Sequence, residues 1–261
     1  MSNNLVLIDG MNILFRGICV PGLGGAKYLI RCAFQYRSQF THAAVIFDPP
    51  GGRRNRGDNY KKAVALAGGA DAASKPASYK GNRSTDRDLV SREREKAETA
   101  LRVMGIKTIC IVGEEADDVI ASLVRAAYRK KFSRILILTR DQDLLSCLRR
   151  ETVEWSDGVL RKKRADFVKE FGFEPKFHSD YIALKGKTGQ VPGLPGIGDV
   201  GAKHLIKSFG GVEKMLSSKG ADTWLTRVQE HPELLRVCLQ LAKLDSKVSG
   251  LPSLKSLQIT R

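Results

Sequence analysis

The chain has 261 residues of which 42% are hydrophobic, enough for one sizeable core with a smaller appended unit, and this excludes a fibrous or disordered protein. Its 44 Lys and Arg against 28 Asp and Glu leave a formal charge of +16, which suits a partner rich in phosphates. Cys19, Cys32, Cys110, Cys147 and Cys238 form no CxxC pair and argue against a disulfide framework or a zinc site. MSNNLVLIDG lacks the basic and apolar regions of a leader, and no run approaches the roughly 18 apolar residues of a membrane span, so a cytoplasmic protein is expected, with a nuclear one the alternative.

The first predicted element is the strand LVLID, ending at Asp9, and the second is AAVIFD, ending at Asp48. Residues 51–78 mix Gly, Ala, Ser and basic residues without sustained periodicity and read as a mobile loop. Helical order resumes from Ser84 to Met104, with a capping box from Thr85 to Asp88, apolar Leu89, Ala97, Leu101 and Met104, and a basic character from Arg83, Arg87, Arg92, Arg94 and Lys96. TICIVGEEADD is a third strand running into Glu115, Asp117 and Asp118. The helix after it carries Val119, Ile120, Leu123, Val124, Ala127 and Tyr128 on one face and closes on Arg129, Lys130 and Lys131. RILILTRDQD is a fourth strand, ending in Asp141 and Asp143. A hairpin-like piece, VEWSDGVLRKKR, then leads into a mostly helical part broken at GFEP, GQVPGLPGIG and FGG.

Short apolar runs separated by helical patterns read as buried strands of a parallel sheet, and ligands of such sheets sit beyond the strands' carboxyl ends. An Asp at a strand end is by itself more often a cap or turn residue, but four such ends repeat the pattern here. Carboxylates about 5 Å apart repel by roughly 3 kcal/mol per pair at an effective dielectric near 20, unless a cation or a shared proton intervenes. Oxygen ligands with no Cys or His nearby select a hard cation, magnesium or manganese, and such ions serve phosphodiester hydrolysis. The segment YKGNR, Tyr79–Arg83, sets Lys80 and Arg83 three positions apart, where they either stabilise charge on a phosphate or form an ordinary solvated turn. In VPGLPGIGDVGAKHLI a Gly-Ile-Gly turn opens a helix and offers backbone N–H groups to a phosphate, with Lys203 one turn inside. That is the pattern of a helix-hairpin-helix, which grips a sugar-phosphate backbone without reading sequence.

Taken in order, LVLIDGMNILFR, VIFDPP, YKGNR, GEEADDVIA, LTRDQDLL and VPGLPGIGDVGAKHLI resemble the 5′-nuclease superfamily of flap endonucleases and 5′→3′ exonucleases over essentially the whole chain. The resemblance implies an α/β fold: a PIN-like, mainly parallel twisted sheet flanked by helices, with a C-terminal helix-three-turn-helix subdomain for DNA. The expected division is a catalytic domain over 1–160, including a loop or arch over 51–104, and a helical domain over 161–261 with its hairpin motif at 182–210. By position, the resemblance implies that Asp9, Asp48, Glu115, Asp117 and Asp118 form or support a first metal site and that Asp141 and Asp143 contribute to a second. Lys80 and Arg83 would contact the scissile phosphate, with Asp117 acting beside them in catalysis. Tyr79, Gly196, Ile197, Gly198, Asp199, Val200, Gly201 and Lys203 would contact DNA. The carbonyls of Leu184, Lys185, Pro192, Leu194 and Ile197 would surround a potassium ion.

One segment departs from the family pattern. Where the family reads roughly Gly-Asp-x-x-Asp-Asn-Ile-Pro-Gly, this chain reads GKTGQVPG, with Lys187 and Gly189 nearest the two expected aspartates, three charge units more positive. A second divalent ion should then bind weakly or only with substrate. In this the chain is similar to the short, polymerase-free flap endonuclease-like proteins of enterobacteria. The activity implied is metal-dependent cleavage of DNA near the junction of a 5′ single strand with a duplex, by a monomer that needs no nucleotide cofactor and no membrane. The alternative is a branched-DNA binding protein whose nuclease site has decayed; a PIN-type ribonuclease would lack the Gly196–Lys203 motif.

Overall fold

The computed structural model describes residues 3–49, 56–68 and 86–260. In chain order the elements are β1 (Asn4–Asp9), α1 (Gly10–Ile18), α2 (Gly25–Arg37), β2 (His42–Ile46), α3 (Arg56–Ala67) and α4 (Arg87–Val103). They continue with β3 (Lys107–Ile109), α5 (Ala116–Arg129), β4 (Arg134–Leu138), β5 (Val153–Ser156), β6 (Arg161–Lys162) and α6 (Arg164–Phe171). Last come α7 (His178–Lys185), α8 (Asp199–Phe209), α9 (Val212–Ser217), α10 (Thr223–Glu230) and α11 (Pro232–Ala242). These fall into two compact units. Within the described residues, one comprises 3–49, 86–165 and 245–260, and the other 56–68 and 166–244.

The first unit is built on a six-stranded sheet in the order β3-β2-β1-β4-β5-β6, parallel except for β6. Strand β1 is central, with Leu5 opposite His42 on one side and Ile135 on the other. Leu5, Val6, Leu7 and Ile8 are all fully buried, as expected of a parallel strand covered on both faces, which is why the segment is continuously apolar. Val6 and Ile8 turn to the layer that holds Leu14, Leu29, Ala97 and Leu101 from α1, α2 and α4. The two-residue period of a strand sends Leu5 and Leu7 to the opposite face, and α5 contacts β1, β2 and β4. The chain passes from β1 outward to β2 and β3, then returns to lay β4 on the other side of β1. The reversal between β1 and β4 is where open α/β sheets form a crevice at the strands' carboxyl ends.

Three expectations change here. Part of the expected loop 51–78 is the helix α3, where Tyr60 and Ala63 are buried one turn apart and the helix packs along α11. Its stripe is a single Tyr and a single Ala while Leu66 is 37% exposed, so the order comes from tertiary packing and leaves little periodicity to read. The remainder of that loop, 51–55 and 69–78, lies outside the described residues. Helix α4 is capped by Asp86, whose carboxylate accepts from the N–H groups of Asp88 and Leu89 at 2.9 and 3.1 Å, while Thr85, where the capping box was expected to start, lies outside the described residues. Finally, the end of the chain does not stay with the helical part. Gln258 bridges to His42, Ile259 N–H donates to Thr41 O at 3.0 Å, and the Ile259 side chain joins the core under β2. In sequence this tail is a short apolar scatter, and burial of Leu257 and Ile259 is what draws it back to the sheet.

The second unit is helical. Its α7 packs on α11 and α8, and the turn between α7 and α8 carries the Gly-Ile-Gly segment.

Candidate active site

Asp9 ends β1 and caps α1. One carboxylate oxygen accepts the N–H of Asn12 at 3.0 Å and the other the hydroxyl of Thr139 at 2.8 Å. Gly10 follows because a Cβ there would lie 2.6 Å from the Phe47 ring and 2.9 Å from Ile46 O, so only glycine lets the end of β2 approach this closely. The Thr139 hydroxyl also accepts the N–H of Asp141 at 3.0 Å, tying the end of β4 to Asp9. Asp141 in turn caps the short turn Gln142–Cys147 by accepting the N–H of Asp143 at 3.1 Å, and its carbonyl accepts from the Trp155 indole at 3.1 Å. Asn12 closes the same corner, its side-chain oxygen accepting the N–H of Arg140 at 2.9 Å.

From β2, Asp48 reaches across to the start of α5, where its Oδ1 accepts the N–H of Ala116 at 2.9 Å. The Asp48 carbonyl is held by the Arg94 guanidinium at 3.0 Å, and Arg94 lies 4.6 Å over the Phe47 ring while pairing with Glu98 at 2.8 Å. That latch sets the first turn of α5, which carries Asp117, half-buried, two residues after Glu115, only 3% exposed. Asp118 is fully buried, and one of its oxygens accepts the N–H of Asp245 at 2.6 Å.

The electrostatics record the crowding. Burial pushes the Asp9 carboxyl up to about 7, and the charges of Asp48 and Asp141 add to the rise against the opposing hydrogen bonds from Asn12 and Thr139. Three strand ends, those of β1, β2 and β4, therefore bring acids into one field, with the α5 turn latched beside them. Among the described residues, no three acidic, His or Cys side chains close on a single point tightly enough to hold an ion as they stand. The donor set is all oxygen, and its mutual repulsion is of the kind a hard cation relieves; magnesium keeps several waters and does not require an all-protein cage. Asn12, Thr139 and Arg94 were not singled out by the chemical reading of the sequence. Asn12 and Thr139 lie inside LVLIDGMN and LTRDQD, but as polar residues beside more conspicuous acids.

In the helical unit, the turn from α7 to α8 is closed by its own backbone. Lys187 and Val191 exchange N–H···O bonds of 2.8 Å, and Leu194 N–H donates to Leu184 O at 2.9 Å. Gly193 sits at φ 75° with its Cβ direction 2.5 Å from Gly186 N, so a side chain there meets both strain and backbone. Lys187 and Gly189 thus lie in the tight turn that opens this segment. Of the five carbonyls expected around potassium, those of Leu184 and Leu194 already accept backbone N–H groups, from Leu194 and Ile197. Asp199 opens α8 and receives the Tyr181 hydroxyl. Lys203 at 2.9 Å and Lys185 at 3.8 Å also pair with it, and Tyr181 and Lys203 hold its carboxyl below the ordinary range. Val200 is 72% exposed, whereas Gly201 is buried. The sequence did not point to Arg227, whose guanidinium donates to Gly196 O at 3.1 Å. Tyr79, Lys80 and Arg83 lie outside the described residues.

Residues 23–177 match the family model described as 5′-3′ exonuclease, N-terminal resolvase-like domain. The chain is 27% identical to a DNA polymerase I of Pseudomonas aeruginosa over 94% of its own length, but spans only 27% of that polymerase. It is 26% identical to the flap endonuclease Xni of Edwardsiella ictaluri, over 99% of this chain and 98% of that one. Among solved structures, the T5 D15 protein co-crystallised with metal ions superposes with a TM-score of 0.73 at 20% identity, covering 94% of this chain and 90% of that one.

Proposed function

The chain belongs to the 5′-3′ exonuclease family, and we propose that it works there as a structure-specific 5′ nuclease, hydrolysing DNA phosphodiesters near junctions of single strand and duplex. The observation that carries this is the linkage of Asp9, Thr139 and Asp141 at the reversal of the sheet, with Asp48 latching the acidic first turn of α5 beside it. Divalent magnesium or manganese would be held by Asp9, Asp48, Glu115 and Asp117 together with Asp141 and Asp143. When bound, it supplies polarisation of a phosphoryl oxygen and a lowered pKa for water. The chain's own residues do the rest. Asn12 and Thr139 fix the orientation of the Asp9 carboxylate, and Lys80 and Arg83 offset negative charge developing on the phosphate. The backbone amides from Gly196 to Gly201, with Lys203, grip the duplex backbone, supported by a potassium ion at the Leu184–Ile197 turn. Lys187 and Gly189 make a second divalent ion weak or dependent on substrate.

No helix among the described residues is long and apolar enough to cross a membrane, and the reading is of a monomer acting on DNA in the cytoplasm. Lys187 also favours one rival, a branched-DNA binder without turnover, since it puts a cation where the family carries an acid. Incubating a 5′-flap DNA in potassium buffer with and without magnesium or manganese, beside Asp117→Ala, separates the two. Metal-dependent incision near the junction that the variant loses supports the nuclease. Tight binding with no incision under either metal sinks it.

A further inference from the structure

The seven acids of the site do not all face it. Asp118 follows Asp117 by one residue on α5, so the two side chains point about 100° apart on the helix. Asp118 is fully buried, and its carboxylate accepts the N–H of Asp245 at 2.6 Å. One turn on, the Ser122 hydroxyl, 3% exposed, accepts the N–H of Val248 at 3.0 Å and donates to Asp245 O at 3.3 Å. A further turn on, the Arg125 guanidinium donates to Ser246 O at 3.3 Å. Positions 118, 122 and 125 share one helix face. That face grips Asp245, Ser246 and Val248 at the point where the chain re-enters the sheet unit, and Val248 is itself buried there.

The geometry points to Asp118 as a positioning residue: it tethers the returning chain to α5 and thereby fixes the rotation of the helix that carries Asp117, and it is not a ligand of the divalent ion. One Asp118 oxygen is committed to the Asp245 N–H, and its side chain leaves α5 about 100° away from that of Asp117, on the face the tail covers. The rotation of α5 is then held at two places, by Asp48 on the Ala116 N–H and by Asp118 on the tail. The inference rests on the divalent-ion reading of the site above.

An asparagine keeps a side-chain oxygen that accepts an N–H but loses the charge a metal ligand needs, so Asp118→Asn and Asp118→Ala separate the two roles. Manganese binding to the free protein, titrated by the loss of free-ion electron paramagnetic resonance, should be unchanged in Asp118→Asn and weakened about 10-fold or more in Asp117→Asn. Hydrogen exchange supplies a readout that needs no metal. The Asp245 amide should stay protected in Asp118→Asn and exchange about 10-fold faster or more in Asp118→Ala, the change expected for losing a charged acceptor. If Asp118→Asn weakens manganese as Asp117→Asn does, or if the Asp245 amide exchanges equally in wild type and Asp118→Ala, the proposal is overturned. Should wild type bind no manganese, the divalent-ion reading fails, and the exchange experiment alone decides the tether.

Discussion

Asp9 carries the heaviest electrostatic load described, a buried carboxyl at the end of the central strand with two more acids in its field. Its carboxyl titrates near 7 instead of the ordinary 3.8. Below 3.8 the group is protonated whether folded or unfolded. As pH rises, the unfolded chain releases the proton while the fold retains it, so the stability contributed by Asp9 is lost as pH climbs through about 7. In metal-free buffer, the melting temperature of Asp9→Asn relative to wild type should therefore rise from about pH 5 to about pH 7.5, and magnesium should shrink the difference. The titration of His42, lowered by burial, is common to both proteins and cancels. A difference that stays flat with pH would refute the assignment. Thr139→Val is nearly isosteric and removes both the donor to Asp9 and the acceptor from Asp141. It should cost about 1–3 kcal/mol in chemical denaturation, because it leaves polar groups unpaired beneath the sheet. The acids were legible in the sequence because charge at the end of an apolar run is conspicuous. Thr139 was not, because a β-branched residue at a strand end is ordinary strand chemistry until its hydroxyl is seen to bridge two strand ends.

At the scale of elements, the strands ending at Asp9, Asp48 and Asp141 were readable because both faces of a parallel sheet are buried, which forces unbroken apolar runs. The helix α5 was readable from its face of Val119, Ile120, Leu123, Val124 and Ala127. Helix α3 was not, since its buried stripe is Tyr60 and Ala63 and its order comes from packing on α11. Tyr60→Ala should accordingly cost about 3 kcal/mol or more, a loss that separates a packed helix from a mobile loop; an effect near zero would restore the loop reading. For α4 the cap is the test. Asp86→Ala should lower stability by about 1 kcal/mol, while substitution of Thr85 should leave it unchanged, and the reverse result would return the cap to Thr85. Gly193→Ala, at φ 75° and against Gly186, should distort the turn before α8 and weaken flap binding more than it weakens metal binding to the free protein.

For the whole molecule, the charge of +16 is the term that acts at a distance. If six or more Lys and Arg side chains meet phosphates, affinity for flap DNA should fall by about 10³-fold or more between roughly 50 and 200 mM salt. A shallow salt dependence would mean that the basic surface serves solubility alone. The fold class was legible from alternating strand and helix patterns, but the grouping of residues into units was not. Contacts that join residue 41 to residue 259 across most of the chain leave no local mark on either segment.

That closing stitch has a consequence for biosynthesis. A polypeptide emerges from its amino end, so β1, β2 and β4 emerge long before Ile259 arrives to complete the layer they share. The helical unit, drawn entirely from residues between β2 and the tail, has its full complement earlier. A ribosome that stalls just past α11, or a protease that cuts there, therefore leaves a finished helical unit attached to a sheet that still lacks its last strip of core. The nascent chain acquires the turn proposed to grip a duplex before it acquires the completed layer behind the carboxylates.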